Sequence, residues 1–300
     1  ILVILPCFFP MTPIAKLPNY HYRTNLDLSL KAWIKNPSIL FLVKRKISPK
    51  RRFFGRINAM TKLALFDIDK TLSKGSKVKD KISFPEAFKK VYGVDTGIDI
   101  INPSGMTDQQ IIIEVLKKNG LDEQTIKSKL EECMKIMIET FNENIKGEEI
   151  VVLDGVRELL EELNKRNILL GLVTGNLEPI ARGELKKAGI NHYFKVGGFG
   201  NEDINRTNLV KLAIKRAEEN FDFKSNNDVF LFGDAPQDMK AGRETRVKTI
   251  GVTTGVHSSE QLRDAGADFV IENLKDEDKI LRIMINAQSP FVYRLREALF

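Results

Sequence analysis

The sequence predicts an α/β fold, with a Rossmann-like parallel sheet as the core and a small helical domain inserted after the first strand. From Met60 onward, short apolar runs alternate with longer segments of helical periodicity, which is typical of parallel strands joined by crossover helices. About a hundred residues separate the first two apolar runs, far more than a crossover connection needs. The 300 residues, 42% of them apolar, are enough for one large core and a smaller second unit.

The predicted strands are apolar on both faces, as strands buried inside a parallel sheet are. In chain order they are Leu63–Phe66, Ile168–Val173, Tyr193–Val196, Val229–Phe232, Thr249–Val252 and Phe269–Ile271. Between the strands, apolar residues recur at the three- and four-residue spacing of helices. These predicted crossover helices are Gly155–Arg166, Leu177–Ala188, Thr207–Asn220 and Ser258–Ala265.

The interval between the first two strands is predicted to form helices of its own. Thr107–Lys118 is amphipathic, and Glu123–Ile145 is a longer helix with its apolar residues on one stripe. The chain therefore divides into a core at 60–75 and 150–287, a helical domain at 76–149 and a C-terminal tail at 288–300.

The N-terminal segment differs from the rest of the chain in charge. Through residue 60 there are 11 Lys and Arg against the single acid Asp27, a balance of +10, whereas the remaining 36 basic and 39 acidic residues give −3. Because Met60 directly precedes the first patterned segment, residues 1–59 are interpreted as a basic N-terminal extension, either disordered or a non-native reading frame. The mildly acidic remainder argues against specific nucleic-acid binding and favours a small phosphorylated metabolite as the partner.

Cysteine content and apolar runs bear on the compartment. Cys7 and Cys133 are too few for a disulfide framework, so a reducing compartment, and hence the cytoplasm, is expected. The longest apolar runs, Ile1–Leu5 and Ile39–Val43, are far shorter than the roughly 18 residues that a membrane span needs. No membrane partner is predicted, and the oligomeric state stays open.

Polar side chains follow three of the predicted strands. They are Asp67 and Asp69 after the first, Thr174, Gly175 and Asn176 after the second, and Asp234 and Asp238 after the fourth. Ligands of open α/β sheets bind at that carboxyl edge. Neighbouring carboxylates repel unless a cation or a proton neutralises them, and Asp234 adds a third oxygen donor to Asp67 and Asp69. The set predicts a Mg²⁺ site.

The same sheet edge suits phosphoryl transfer, which needs an aligned nucleophile and positive charge or hydrogen-bond donors around the phosphoryl oxygens. Asp67 is the predicted nucleophile and would form an aspartyl-phosphate. Asp69 is predicted to protonate the leaving alcohol and later to deprotonate the attacking water.

At these strand ends the sequence resembles the haloacid dehalogenase-like hydrolases. Their first, second and fourth motifs are similar to Asp67-Ile68-Asp69-Lys70-Thr71-Leu72, Val173-Thr174-Gly175-Asn176 and Gly233-Asp234-Ala235-Pro236-Gln237-Asp238. The order and spacing of the motifs match, and the resemblance covers roughly Thr61 to Asn286.

This resemblance implies specific roles. Mg²⁺ would be bound by Asp67, the Asp69 carbonyl and Asp234, with Asp238 acting through water, and Thr174, Gly175 and Asn176 would hold the phosphate. The helical domain would be the cap of the phosphoglycolate-phosphatase-like branch, which closes over the substrate and selects it.

The third motif departs from the family's usual form. Members commonly carry a lysine before the helix that leads to the fourth motif, whereas the corresponding position here is Arg206. A guanidinium is permanently charged and can span two phosphate oxygens, so Arg206 is expected to serve in place of the lysine. Lys211 is the competing candidate, although its place one turn along the helix favours a solvated face.

Two smaller features are interpreted as structural. Gly197-Gly198-Phe199-Gly200 is given no site role, because a lone glycine cluster after a strand is more often a flexible turn than a phosphate cradle. Thr107 and Gln110 have the spacing of a helix capping box.

Other activities of the same superfamily fit less well. A dehalogenase would not need Asp69, and the ion pumps carry threonine at that position together with large membrane domains. A phosphonate hydrolase would need a cap lysine that forms a Schiff base, and nothing in the sequence marks a cap lysine as buried.

The favoured function is therefore magnesium-dependent hydrolysis of a small-molecule phosphate monoester. The substrate stays open among phosphoglycolate, nucleotides and sugar phosphates. A sugar phosphomutase, which shares the core, the cap and the aspartyl-phosphate, is the alternative. A phospho-ligand or RNA-binding module that uses the basic arm is an alternative from another class.

Overall fold

The computed structural model describes residues 62–225 and 228–286. Within these residues, six parallel strands form one sheet in the order β3-β2-β1-β4-β5-β6. The strands are Leu63–Phe66 (β1), Leu169–Thr174 (β2), Val196–Phe199 (β3), Val229–Gly233 (β4), Lys248–Val252 (β5) and Phe269–Ile271 (β6). Central β1 pairs Leu63 with Leu169 of β2 and with Val229 of β4. The predicted α/β fold with a parallel sheet is confirmed, while the extension at 1–59 and the tail at 288–300 lie outside the described residues.

The third strand was predicted three residues too early. Its predicted start, Tyr193, ends a short 3₁₀ turn, and the strand is Val196–Phe199. The glycines at 197 and 198 therefore belong to the strand and not to a flexible turn. A Cβ on Gly198 would lie 2.1 Å from the Leu209 carbonyl oxygen, so close helix packing requires glycine there. This tertiary contact is not visible in the local sequence pattern.

Six helices of the described chain follow residue 155. They are Val156–Lys165 (α5), Glu178–Lys187 (α6), Arg206–Asn220 (α7), Pro236–Thr245 (α8), Ser259–Asp264 (α9) and Glu277–Asn286 (α10). The four predicted crossover helices correspond to α5, α6, α7 and α9 within one residue at each end. Helix α8 was missed because small residues such as Ala241 and Gly242 give its buried side weak apolar periodicity. Helix α10 has a clear apolar pattern, including Ile280 and Ile283, which was not assigned.

Most of the interval between β1 and β2, residues 76–149, folds into helices of its own and is here called the helical insertion. It contains Phe84–Tyr92 (α1), Asp108–Lys118 (α2), Glu123–Ser128 (α3) and Leu130–Asn144 (α4), preceded by a π-helical turn at Lys79–Ser83. The single predicted helix Glu123–Ile145 is thus two helices. The break is at Lys129, whose φ of −118° and ψ of 9° leave the helical region. Its amide donates to the Ile126 carbonyl, three residues back, instead of four.

Three clusters of buried apolar side chains pack the helices against the sheet and against one another. One side of the sheet packs Phe66, Phe232 and Leu172 among helical side chains, and the other packs Leu65 and Leu231 beneath α7. The rings of Phe66 and Phe232 stack at 4.5 Å between centroids. The third cluster fills the helical insertion and extends to α6 of the core. Burial on both faces explains why the strands are continuously apolar.

None of the described helices combines the length and the apolarity needed to cross a bilayer.

Candidate active site

A pocket of about 290 Å³ opens at the carboxyl edge of the sheet. Asp67 follows β1, Thr174 ends β2 and Asp234 follows β4. Because β1 lies between β2 and β4, these three strand ends are neighbours. The pocket brings together all the predicted site residues, namely Asp67, Asp69, Thr174, Gly175, Asn176, Arg206, Asp234 and Asp238.

Three buried carboxylates form an acidic cluster in this pocket. One oxygen each of Asp67, Asp234 and Asp238 lie within 4.8 Å of one another. Burial and repulsion by Asp238 raise the pKa of Asp67 well above its ordinary value, although Arg206 opposes the shift. Burial and the same neighbour raise the pKa of Asp234 to about 7. A divalent cation would relieve this repulsion, and carboxylate oxygens are its preferred ligands, so the cluster fits Mg²⁺.

Arg206 neutralises part of the cluster. It is the first residue of α7, after Asn205, whose side chain accepts a hydrogen bond from the Thr207 amide and caps the helix. Its Nη1 donates to Asp67 Oδ1 at 3.0 Å and also to Asp238 Oδ1. Burial alone would lower the pKa of Arg206, but the two carboxylates raise it, so the guanidinium stays charged. The structure therefore places Arg206 in the pocket.

Lys211, the competing candidate for the third motif, is exposed on α7 and does not line the pocket.

Asp69 contacts a lysine that the sequence analysis did not single out. The Nζ of Lys79 donates to Asp69 Oδ2 at 2.8 Å and to Asn176 Oδ1 at 2.7 Å. Burial alone would raise the pKa of Asp69, but the Lys79 ammonium outweighs it and lowers that pKa. The other oxygen, Asp69 Oδ1, has no hydrogen-bond partner among the described residues.

Lys79 is a buried lysine of the helical insertion, which the sequence analysis did not anticipate. Its side chain is 6% exposed, whereas that of Lys81 on the same turn is 59% exposed. Both lysines sit in a lysine-rich stretch, so composition does not distinguish them. The burial follows from the π-helical turn and from docking against Asn176, which is 97 residues away in sequence.

The loop after β2 lies beneath the helical insertion. A Cβ on Gly175 would lie 2.4 Å from the Met106 carbonyl oxygen, so only glycine allows this approach. The Asp108 amide donates to the Gly175 carbonyl at 2.8 Å, and the Leu177 amide donates to Asp108 Oδ2 at 2.9 Å. Burial raises the pKa of Asp108 to about 6, although Lys79 opposes the shift.

The capping box predicted at Thr107 is confirmed. Thr107 Oγ1 accepts from the Gln110 amide at 3.3 Å, and the Thr107 amide donates to Gln110 Oε1 at 2.9 Å. This cap fixes the end of α2 that covers the loop at Gly175.

Comparison with known proteins extends these observations. The family described as haloacid dehalogenase-like hydrolase matches residues 64–252, which contain all three motifs. The pyrophosphatase PpaX of Oceanobacillus iheyensis is 26% identical over 216 residues, covering 71% of this chain and 92% of that protein.

Two solved structures share the fold. A predicted phosphoglycolate phosphatase from Haemophilus somnus has a TM-score of 0.56 and 20% identity, covering 74% of this chain and 98% of the other. A putative β-phosphoglucomutase from Bacteroides vulgatus has a TM-score of 0.55 and 22% identity, covering 76% of this chain and 90% of the other.

Proposed function

The chain belongs to the family of haloacid dehalogenase-like hydrolases, and from this premise we propose that it hydrolyses a small phosphorylated metabolite with Mg²⁺ through a phosphoryl intermediate on Asp67. The proposal rests on one observation, namely that two groups of residues line the same pocket. A buried acidic cluster, Asp67, Asp234 and Asp238, lies beside the hydrogen-bond donors of the loop after β2.

The acidic cluster supports a role for Mg²⁺. Asp67 and Asp234 would hold the ion directly together with the Asp69 carbonyl, and Asp238 would hold it through water. When bound, the cation would neutralise charge on the phosphoryl oxygens.

Buried donors in the same pocket support phosphate binding. Asn176 Nδ2 and Arg206 Nε are buried donors without a hydrogen-bond partner among the described residues. Buried donors of this kind are costly unless a ligand or water satisfies them, by about 1–3 kcal/mol each. Phosphoryl oxygens held there would also reach the Thr174 hydroxyl and the Gly175 amide, which line the same pocket.

The chemistry proceeds in two steps through the chain's own residues. An Asp67 oxygen attacks phosphorus, the bond from phosphorus to the leaving oxygen breaks, and that oxygen takes a proton from Asp69. Asp69 enters this step as the neutral carboxyl group, although the Lys79 ammonium favours its carboxylate by lowering its pKa. Water then donates a proton to Asp69, the water oxygen attacks phosphorus, and the bond from phosphorus to Asp67 breaks. Inorganic phosphate leaves and both carboxyl groups return to their starting states. Asp69 lines the same pocket as Asp67, which supports this use of Asp69 as acid and base.

The buried Lys79 does not support a phosphonate hydrolase. Schiff-base chemistry needs a neutral amine, whereas the Lys79 ammonium is bonded to Asp69 and Asn176. Burial would lower the pKa of Lys79, but Asp69 and further acids raise it well above its ordinary value.

Phosphate release by the full-length chain tests the proposal. The panel contains pyrophosphate, phosphoglycolate, nucleotides and sugar phosphates, each with Mg²⁺ and with a chelator. We expect release that disappears in Asp67→Asn and in chelator but persists in Asp95→Asn, a control at an aspartate whose side chain is 85% exposed. Interconversion of sugar phosphates without release, dependent on a bisphosphate, would instead establish the phosphomutase.

The RNA-binding alternative depends on the basic arm at 1–59, outside the described residues, and stays a prediction.

A further inference from the structure

We propose that Lys79 is a positioning residue for the acid and base steps, because it fixes the Asp69 carboxylate and ties it to Asn176 of the phosphate-binding loop. The inference rests on the proposed function, since it concerns how Asp69 is held during that reaction. It assigns a catalytic consequence to a residue of the helical insertion.

The ammonium group of Lys79 joins two separate parts of the pocket. Its Nζ lies 2.8 Å from Asp69 Oδ2, on the loop after β1, and 2.7 Å from Asn176 Oδ1, on the loop after β2. Both distances are those of strong, charge-assisted hydrogen bonds. Two of its three N–H donors are therefore directed at residues that neighbour the reacting phosphate.

This contact places the two oxygens of Asp69 in different surroundings. Lys79 occupies Oδ2, and Oδ1 has no hydrogen-bond partner among the described residues. A carboxylate held at one oxygen cannot rotate freely, so Oδ1 keeps a fixed direction. Gly75 lies against that oxygen, since a Cβ there would be 2.7 Å from Oδ1, and its φ of +83° also favours glycine.

The insertion holds Lys79 firmly in place. The residue opens the π-helical turn Lys79–Ser83, a local widening of the helix that is often found at functional sites. Its amide donates to Ser76 Oγ at 3.2 Å, and Ser76 Oγ in turn contacts Glu148 at the end of the insertion. Lys79 is therefore anchored both to the insertion and to the pocket.

A purely structural role is the competing explanation. Asp80, Asp108 and Glu184 also act electrostatically on Lys79, which could simply neutralise buried acids. The two explanations differ in whether the fall in kcat/KM on removal of Lys79 depends on the leaving group. Loss of positioning affects protonation of the leaving oxygen, whereas loss of stability affects every substrate alike.

The test compares kcat/KM for glycerol 2-phosphate and p-nitrophenyl phosphate in Lys79→Met. The alcohol needs a proton to leave, whereas nitrophenolate leaves as an anion. Because general acid catalysis contributes about 100-fold or more, we expect kcat/KM for glycerol 2-phosphate to fall about 100-fold and that for p-nitrophenyl phosphate less than about 10-fold. Lys79→Arg, which keeps charge and donors, should recover most of the loss.

Three further variants make the result decisive. Asp69→Asn should show the same dependence on the leaving group, and Lys81→Met, at the exposed lysine of the same turn, should match the wild type. If Lys79→Met does not fold, Lys79→Gln replaces it, since glutamine is too short to reach both Asp69 and Asn176, and the same result is expected. If Asp69→Asn behaves as expected but the loss of Lys79 lowers kcat/KM equally for both substrates, or for neither, the inference is overturned. If Asp69→Asn itself shows no such dependence, the acid role in the proposed function fails first.

Discussion

Buried charges face one another across the pocket at the scale of single residues. Arg206 lies between Asp67 and Asp238, and Lys79 lies between Asp69 and Asn176. Removing one partner of a buried ion pair costs about 3–5 kcal/mol, because the other charge is left without compensation. These cations therefore stabilise the site as well as shape it.

Replacing Arg206 tests its place in the third motif. We expect Arg206→Met to lower kcat/KM at least about 100-fold, because a charged donor beside the nucleophile and the phosphate is lost. Unfolding in urea should also show a loss of about 3 kcal/mol in the free energy of unfolding. Lys211→Met, at an exposed position of the same helix, is the control and should change neither quantity. The assignment is wrong if Lys211→Met is the variant that loses activity.

Asp108 should make stability depend on pH. Burial raises its pKa to about 6 in the folded protein, so the neutral carboxyl group stabilises the fold relative to the carboxylate. This contribution to the free energy of unfolding is lost as pH rises through about 6. Asp108→Asn removes the effect. We expect the free energy of unfolding of the variant, relative to wild type, to rise by about 2 kcal/mol between pH 4.5 and 7. Urea unfolding of both proteins across this range measures it, and a difference independent of pH would contradict the interpretation.

The sequence predicts those site residues that lie at the carboxyl ends of strands. Asp67, Thr174 and Asp234 could be found because parallel strands end at a common edge, so positions far apart in sequence must meet. Lys79 and Asp108 could not, since their contacts depend on how the helical insertion docks. No local pattern distinguishes Lys79 from its neighbouring lysines.

At the scale of secondary-structure elements, glycines set how closely elements approach. Strand β3 lies against α7 at Gly198, and the loop after β2 lies against the start of α2 at Gly175. Both contacts bear on the site, because α7 begins with Arg206 and the loop carries Asn176.

Adding a methyl group at Gly198 should disturb this packing. In Gly198→Ala, the Cβ would lie 2.1 Å from the Leu209 carbonyl oxygen, so α7 must shift. We expect a loss of about 1–3 kcal/mol in the free energy of unfolding, as for other overpacked sites, and reduced activity through Arg206. In Gly147→Ala no described atom lies within 4 Å of the new Cβ, and denaturant unfolding should differ from wild type by less than about 0.5 kcal/mol. Equal stability of the two variants would contradict the prediction.

Element prediction succeeded where one local pattern dominates and failed where tertiary contacts decide. Continuous apolar runs located β1, β2 and β4, because both of their faces are buried. The strand at Val196–Phe199 was displaced because its glycines are typical of turns. The break at Lys129 was missed because the apolar stripe continues across it.

At the scale of the whole molecule, the strand order places three motifs side by side under the helical insertion. Their acids form the cluster of Asp67, Asp234 and Asp238, whose mutual repulsion opposes folding when all are ionised. A cation bound there should stabilise the entire fold.

Thermal unfolding tests this linkage. Ligand at one hundred times its Kd adds about 2.7 kcal/mol, so saturating Mg²⁺ should raise Tm by roughly 5–10 °C relative to chelator. Asp234→Asn should abolish most of the increase and should raise Tm in chelator, because one repelling charge is removed. The metal assignment is refuted if wild type shows no increase, or if Asp234→Asn retains it.

The central claim is that Asp67 carries the phosphoryl group during turnover. Its most direct test is rapid acid quenching of the full-length chain with p-nitrophenyl phosphate and Mg²⁺, followed by mass spectrometry of the peptide that contains Asp67. We predict the mass of one added phosphoryl group on Asp67 during turnover, and none in chelator. A phosphoryl group on another residue, or phosphate release by Asp67→Asn at the wild-type rate, would contradict the account.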